Sequence, residues 1–202
     1  MFDNRYGLEA AVLEGRKTMT RRLIPQKHFD VYKEMCRLGK PVLPLNEWLI
    51  QRKSKYKIGE EVAIAQSYFN IYGERRIDGS IVQWCNANGR DFRKEIRTME
   101  ALMETAGYDN KMFVKADLMS HRIRITDIKV ERLQDITEED AMKEGIIEGY
   151  SIEDYPYYTY AHCEKSWGTA KIAFENLITK MMGSKVWKAN PYIFAYTFER
   201  IR

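Results

Sequence analysis

Cysteine is scarce in this chain of 202 residues. There are three, Cys36, Cys85 and Cys163, odd in number and far apart, which excludes a disulfide framework and fits a reducing compartment, so a cytoplasmic location is expected. Histidine is equally sparse. His28, His121 and His162 are well separated and no Cys-x-x-Cys pair occurs, so no metal site is expected. No apolar run approaches the roughly 18 residues that would cross a bilayer, and Met1-Phe2-Asp3-Asn4-Arg5 has no signal-peptide pattern. No membrane partner is therefore expected. Glycine-rich phosphate loops and dinucleotide fingerprints are missing, as is a nucleophile elbow, and no cofactor is expected.

What is present is apolar and charged in good measure. Hydrophobic residues make up 45% and aromatics 12%, enough for a real core and too many for a disordered chain. The formal net charge of +4 is unevenly spread. Residues 1–60 hold 13 basic and 7 acidic residues, a net of +6, whereas residues 130–164 hold 2 basic and 10 acidic, a net of −8. Such asymmetry either builds a face suited to phosphate or is neutralised when the two segments meet in the fold.

Residues 6–14 read as a short helix with Leu8, Ala11 and Val12 on one face and Gly15 closing it. The stretch from Pro25 to Pro44 carries mixed signals and is expected to wander over the surface. Glu61 to Gln66 reads as a buried strand after the Lys57-Ile58-Gly59-Glu60 turn. Asp78-Gly79-Ser80 marks a hairpin, and Thr98 to Thr105 a helix. The clearest strand pattern spans His121 to Leu133, with a phase slip at Asp127 that predicts a bulge or turn. Thr137 to Asp140 opens a helix with an acidic variant of the capping box, ending at Gly145. Tyr150 to Tyr160 is expected to be irregular, Ala170 to Met182 an amphipathic helix, and Tyr192 to Arg202 a final strand. Five or six strands with three or four helices and no regular βαβ alternation predict an α+β fold with a small, mostly antiparallel barrel or sheet, and insertions near 26–50 and 145–168.

The densest chemistry lies in Gly15-Arg16-Lys17-Thr18-Met19-Thr20-Arg21-Arg22, where four of eight residues are cationic. In a helical turn Lys17 and Thr20 would share a face. The like charges of Arg16, Arg21 and Arg22 would lower the Lys17 pKa, and a neutral amine can take a proton from a hydroxyl. A plain basic turn that holds phosphate is the simpler reading of the same residues.

Leu13-Glu14-Gly15-Arg16-Lys17-Thr18-Met19-Thr20-Arg21-Arg22 resembles the opening motif of ASCH-domain proteins, which have the PUA-like superfold. Lys57-Ile58-Gly59-Glu60-Glu61-Val62 looks like that family's turn into a barrel strand. Ile123 to Gly145 is similar to ASCH proteins carried by phages and prophages, and so is Trp187-Lys188-Ala189-Asn190-Pro191-Tyr192 with the aromatic strand after it. The resemblance implies one domain over residues 1–202, a small β-barrel flanked by helices, and binding of RNA or a modified nucleobase or nucleoside at the barrel mouth. It also implies an alternative, an amidohydrolase acting on N4-acylated cytidine or a related amide. In that case Thr20 would be the nucleophile, Lys17 its base and Glu144 the group that orients Lys17 or relays a proton. Arg16, Arg21, Arg22, Gln66 and Tyr68 are the candidate ligand-binding residues, with Arg21 or Arg22 placed to stabilise an oxyanion. Gln66 stands where relatives carry an acid. Tyr68, Phe69, Trp84 and Trp167 are candidate stacking groups. A third possibility is a phage accessory protein that acts through protein contacts.

Overall fold

The computed structural model describes residues 4–40, 42–67, 114, 119 and 121–201. The fold is α+β, with a curled antiparallel half-barrel sheet and flanking helices. The hairpin expected at Asp78-Gly79-Ser80, the helix over Thr98–Thr105, and the side chains of Tyr68, Phe69, Trp84 and Cys85 lie outside the described residues.

The chain divides into two compact units. The larger comprises residues 3–60 and 124–200. It opens with α1 (Leu8–Leu13), whose Leu8, Ala11 and Val12 are buried at helical spacing. Glu14 caps the helix and Gly15, at φ +77°, lets the chain turn back. Strand β1 (Met19–Leu23) follows and pairs antiparallel with the last strand, β6 (Tyr192–Arg200), in the register Met19 to Thr197 through Leu23 to Ile193.

The stretch expected to wander is instead largely helical. It forms α2 (Gln26–Arg37) and α3 (Leu45–Lys53), each entered directly after a proline, Pro25 and Pro44. Proline at a helix start is preorganised and loses no hydrogen bond there, a signal that mixed composition had masked. Helix α2 buries none of its residues and touches the fold through rings, with Phe29 against Tyr192 and Tyr32 against Trp48, both at 5.3 Å between centroids.

Strand β3 (Arg122–Arg132) neighbours β6 and runs without a break. Its buried positions shift phase between Ile125 and Ile128, around the expected Asp127 slip, so the inward face changes within one continuous strand. Helix α4 (Glu138–Lys143) begins at Thr137, whose hydroxyl accepts the Asp140 N–H at 3.1 Å. Tyr150–Tyr160, expected to be irregular, is so over residues 151–155 but contains the end of β4 (Ile147–Tyr150) and all of β5 (Pro156–Thr159), which pair antiparallel. Tyr150, Tyr155 and Tyr157 are exposed there, whereas Tyr160 just after β5 is fully buried.

Helix α5 (Ala170–Met182) has the expected bounds and is capped by the Thr169 hydroxyl, which accepts the Ile172 N–H at 3.2 Å. Ala170, Ala173, Phe174, Leu177 and Ile178 form its buried face, packed against α4 and α6 (Ser184–Ala189). On one face of the β1–β6 pair Tyr196 is fully buried, with its hydroxyl 3.0 Å from Ser54 Oγ and its ring edge-on to Tyr56.

The smaller unit comprises residues 1–2, 61–123 and 201–202. Its described part holds β2 (Glu61–Ala63), after which the Ile64 N–H donates to the His121 carbonyl at 2.9 Å. Ile64, Gln66 and Ser67 are buried within it.

Candidate functional site: a buried Lys17–Glu144–Arg21 network

The cationic bend after α1 and the C-terminal end of α4 are tied together by backbone before any side chain is considered. The Lys17 N–H donates to the Ala11 carbonyl, and the Thr18 N–H donates to the Lys143 carbonyl, both at 2.9 Å. The Phe198 N–H donates to Thr18 O at 2.8 Å and locks the bend to β6. Gly145 sits at φ +102°, a backbone conformation that side-chain-bearing residues rarely adopt, and so lets the chain leave α4 alongside Leu8 and Lys17.

Lys17 and Glu144 meet in this junction. The Lys17 ammonium donates to Glu144 Oε2 at 2.5 Å and to the Glu144 carbonyl at 2.7 Å. Both side chains are almost completely buried. Arg21 Nη1 donates to the other carboxylate oxygen, Oε1, at 3.0 Å. Arg21 Nη2 reaches Glu131 Oε1 at 2.8 Å and Asp140 Oδ2 at 3.3 Å. The guanidinium also lies over the Phe174 ring, 5.7 Å from its centroid. Arg21 Nε, buried, has no hydrogen-bond partner among the described residues.

Two opposing effects act on the Lys17 amine. Burial disfavours its charge and is the larger effect, so its pKa is held below the ordinary 10.5. The Glu144 carboxylate pulls the other way, and Arg22 and Arg21 add repulsion to the lowering side. The expected direction therefore holds, with desolvation rather than like charge as its leading cause.

The remaining sequence candidates fall elsewhere. The stretch from Gly15 leads into a strand rather than a helical turn, so helical sharing of a face by Lys17 and Thr20 does not arise. In β1 alternation carries Arg21 to the Glu144 side and Thr20 to the opposite face, where Thr20 pairs in register with Tyr196. No hydrogen bond joins Thr20 to Lys17. Arg16 is exposed and pairs with Glu14, its Nη2 2.6 Å from Oε2. Arg22 is half-buried in β1. Gln66 is buried in the smaller unit, and Tyr68 lies outside the described residues.

From the sequence Glu131 carries no distinguishing signal, and Asp140 reads only as a capping residue. The available signal was the acidic density of residues 130–164, two members of which neutralise Arg21. The capping-box reading of Asp140 is half realised. Thr137 accepts its N–H, while the Asp140 carboxylate is turned to Arg21 and, at 3.7 Å, to Lys143. Part of the charge asymmetry in the sequence is thus cancelled inside the fold.

Among the described residues no group of three or more histidine, cysteine or carboxylate side chains is arranged to hold a metal ion, and no helix is long and apolar enough to cross a membrane. Chemically, the network is one buried carboxylate shared by an amine and a guanidinium. Comparison of the chain with protein-family models, curated proteins and solved structures finds no match.

Proposed function

We propose that the protein binds a nucleobase-type ligand in a PUA-like barrel and hydrolyses an amide on it, with Lys17 and Glu144 as the proton-transfer pair. The observation that carries this reading is the 2.5 Å contact between a buried amine with lowered pKa and a buried carboxylate. A purely structural ion pair gains little from such burial, because desolvation offsets most of the Coulomb attraction. A group whose proton is easily lost, beside a carboxylate that can receive or return it, is what general acid–base chemistry requires. The ASCH resemblance supplies the substrate class, an N4-acylated cytidine or a related small amide. Arg21 acts in this scheme as a positioning residue that fixes the Glu144 carboxylate through Oε1. In the family-like scheme Thr20 attacks the carbonyl. Its place on the far face of β1 favours a water molecule as nucleophile instead, with Lys17 as base.

A second reading is ligand binding without turnover, as a nucleic-acid or modified-nucleobase module. It is favoured by the saturation of Glu144, both of whose carboxylate oxygens are already engaged by Lys17 and Arg21.

Incubation with N4-acetylcytidine, followed by chromatographic detection of cytidine, tests the proposal. Wild-type protein releases cytidine, Lys17→Ala does not, and Thr20→Ala retains activity if water is the nucleophile. Identical release by wild type and Lys17→Ala overturns the assignment. Saturable nucleoside binding with no release in either moves the protein to the second reading.

A further inference from the structure

Beside the described network, the larger unit contains a cavity of about 340 Å³ between α5 and α6. Its walls include Trp167, Trp187 and Ile172, and its polar lining includes Glu175, Asn176 and Lys188. Ile172, Glu175, Asn176 and Thr179 recur at helical spacing on the face of α5 opposite its core face. A volume of this size lies near the lower end of small-molecule sites, roughly 300–1,000 Å³.

Both indoles are fixed in advance. Trp167 stacks on Tyr160 at 5.7 Å with 12° between ring planes, and its backbone exchanges hydrogen bonds with Tyr158 at 2.8 and 2.9 Å. Trp187 packs edge-on against Phe174, and its carbonyl accepts from Gln134 Nε2 at 2.7 Å. Preorganised aromatic walls of this kind bind a flat apolar side chain at little entropic cost.

The charges in the cavity are the informative feature. Glu175, half-buried, and Lys188, exposed at the edge, line the same space, and neither forms an ion pair with the other or with any other described residue. Asn176 is half committed. Its Oδ1 accepts the Tyr160 hydroxyl at 2.9 Å, which leaves its two N–H donors for another acceptor. An unpaired carboxylate, an unpaired ammonium and an amide donor beside two indoles match the functional groups of a free α-amino acid.

We infer that this cavity is a binding site for a zwitterionic amino acid with an aromatic or large apolar side chain. Glu175 takes its ammonium, Lys188 and the Asn176 amide take its carboxylate, and the indoles pack on its side chain. The site shares no residue with the Lys17–Glu144 network, so it stands or falls independently of amide hydrolysis.

Isothermal titration of the full chain with L-phenylalanine tests this, with N-acetyl-L-phenylalanine and L-phenylalaninamide as probes that each lack one charge. L-phenylalanine is expected to bind saturably and about tenfold more tightly than either analogue. Glu175→Gln is expected to abolish the advantage over N-acetyl-L-phenylalanine, and Lys188→Gln the advantage over L-phenylalaninamide. Neither side chain pairs within the fold, so both variants should keep the wild-type unfolding midpoint. Absence of saturable binding, equal binding of all three probes, or indifference to both substitutions overturns the assignment.

Discussion

Lys17 and Glu144, 127 residues apart in the chain, share a buried contact of 2.5 Å, and Arg21 holds the second oxygen of the same carboxylate at 3.0 Å. Three side chains from two distant segments thus form one charged unit. Removing Glu144 takes from the buried Lys17 ammonium its carboxylate partner, whereas Arg21 keeps Glu131 and Asp140.

Glu144→Gln is therefore expected to destabilise the protein by about 3–5 kcal/mol, because Lys17 and Arg21 lose their common anion. The pair Lys17→Met with Glu144→Leu should recover much of that loss, since an apolar pair of similar volume needs no desolvation. Urea unfolding at constant m-value reads both effects. A double variant as unstable as Glu144→Gln alone would show that the ion pair itself, rather than the stranded charge, holds the junction.

The lowered Lys17 pKa gives a sign for pH dependence. Between its native value and 10.5 the native state binds fewer protons than the unfolded chain, so stability rises with pH across that window. Below the native value the full cost of the buried ammonium is felt. Denaturant midpoints measured from neutral to alkaline pH should rise more in wild type than in Lys17→Met, which lacks the titrating group. A steeper rise in the variant would reverse the direction assigned to Lys17.

Gly145→Ala should weaken both fold and site. The residue has φ +102°, a conformation costing an L-residue on the order of 1 kcal/mol or more, while the new methyl would make only ordinary contacts with Leu8 and Lys17. Any hydrolytic activity should fall only as far as the strained backbone shifts Glu144 beside it, because the methyl makes no close contact with Lys17. Thermal unfolding and cytidine release measured on the same preparation separate the two effects.

Thr137→Ala removes the hydroxyl that accepts the Asp140 N–H and should cost about 1 kcal/mol. Asp140 also supports Arg21, so loosening of the α4 start is expected to reach the network. Hydrogen exchange at the Glu144 and Gly145 amides should speed up in this variant more than exchange in α5.

Local patterning made much of the frame legible. The 3.6-residue apolar period gave α5 its bounds, and the alternation on either side of Asp127 marked β3, whose phase slip the structure takes up as a change of inward face. Pattern reading failed where two local signals conflicted. Residues 26–37 carry charge on every turn, and the helix there rests on Pro25 and a few ring contacts rather than on a buried stripe. The β4–β5 hairpin lacks the short turn dipeptide that would announce it.

The sequence by itself determined that Lys17, Arg21 and Glu144 exist, that a cationic bend follows a short helix, and that an acidic helix ends in glycine. Those properties depend on neighbours along the chain. Only the tertiary structure decided which carboxylates neutralise Arg21, that burial outweighs like charge in lowering the Lys17 pKa, and that strand geometry sends Thr20 to the other face. Each of those depends on desolvation and on pairing across more than a hundred residues, and no local pattern encodes either.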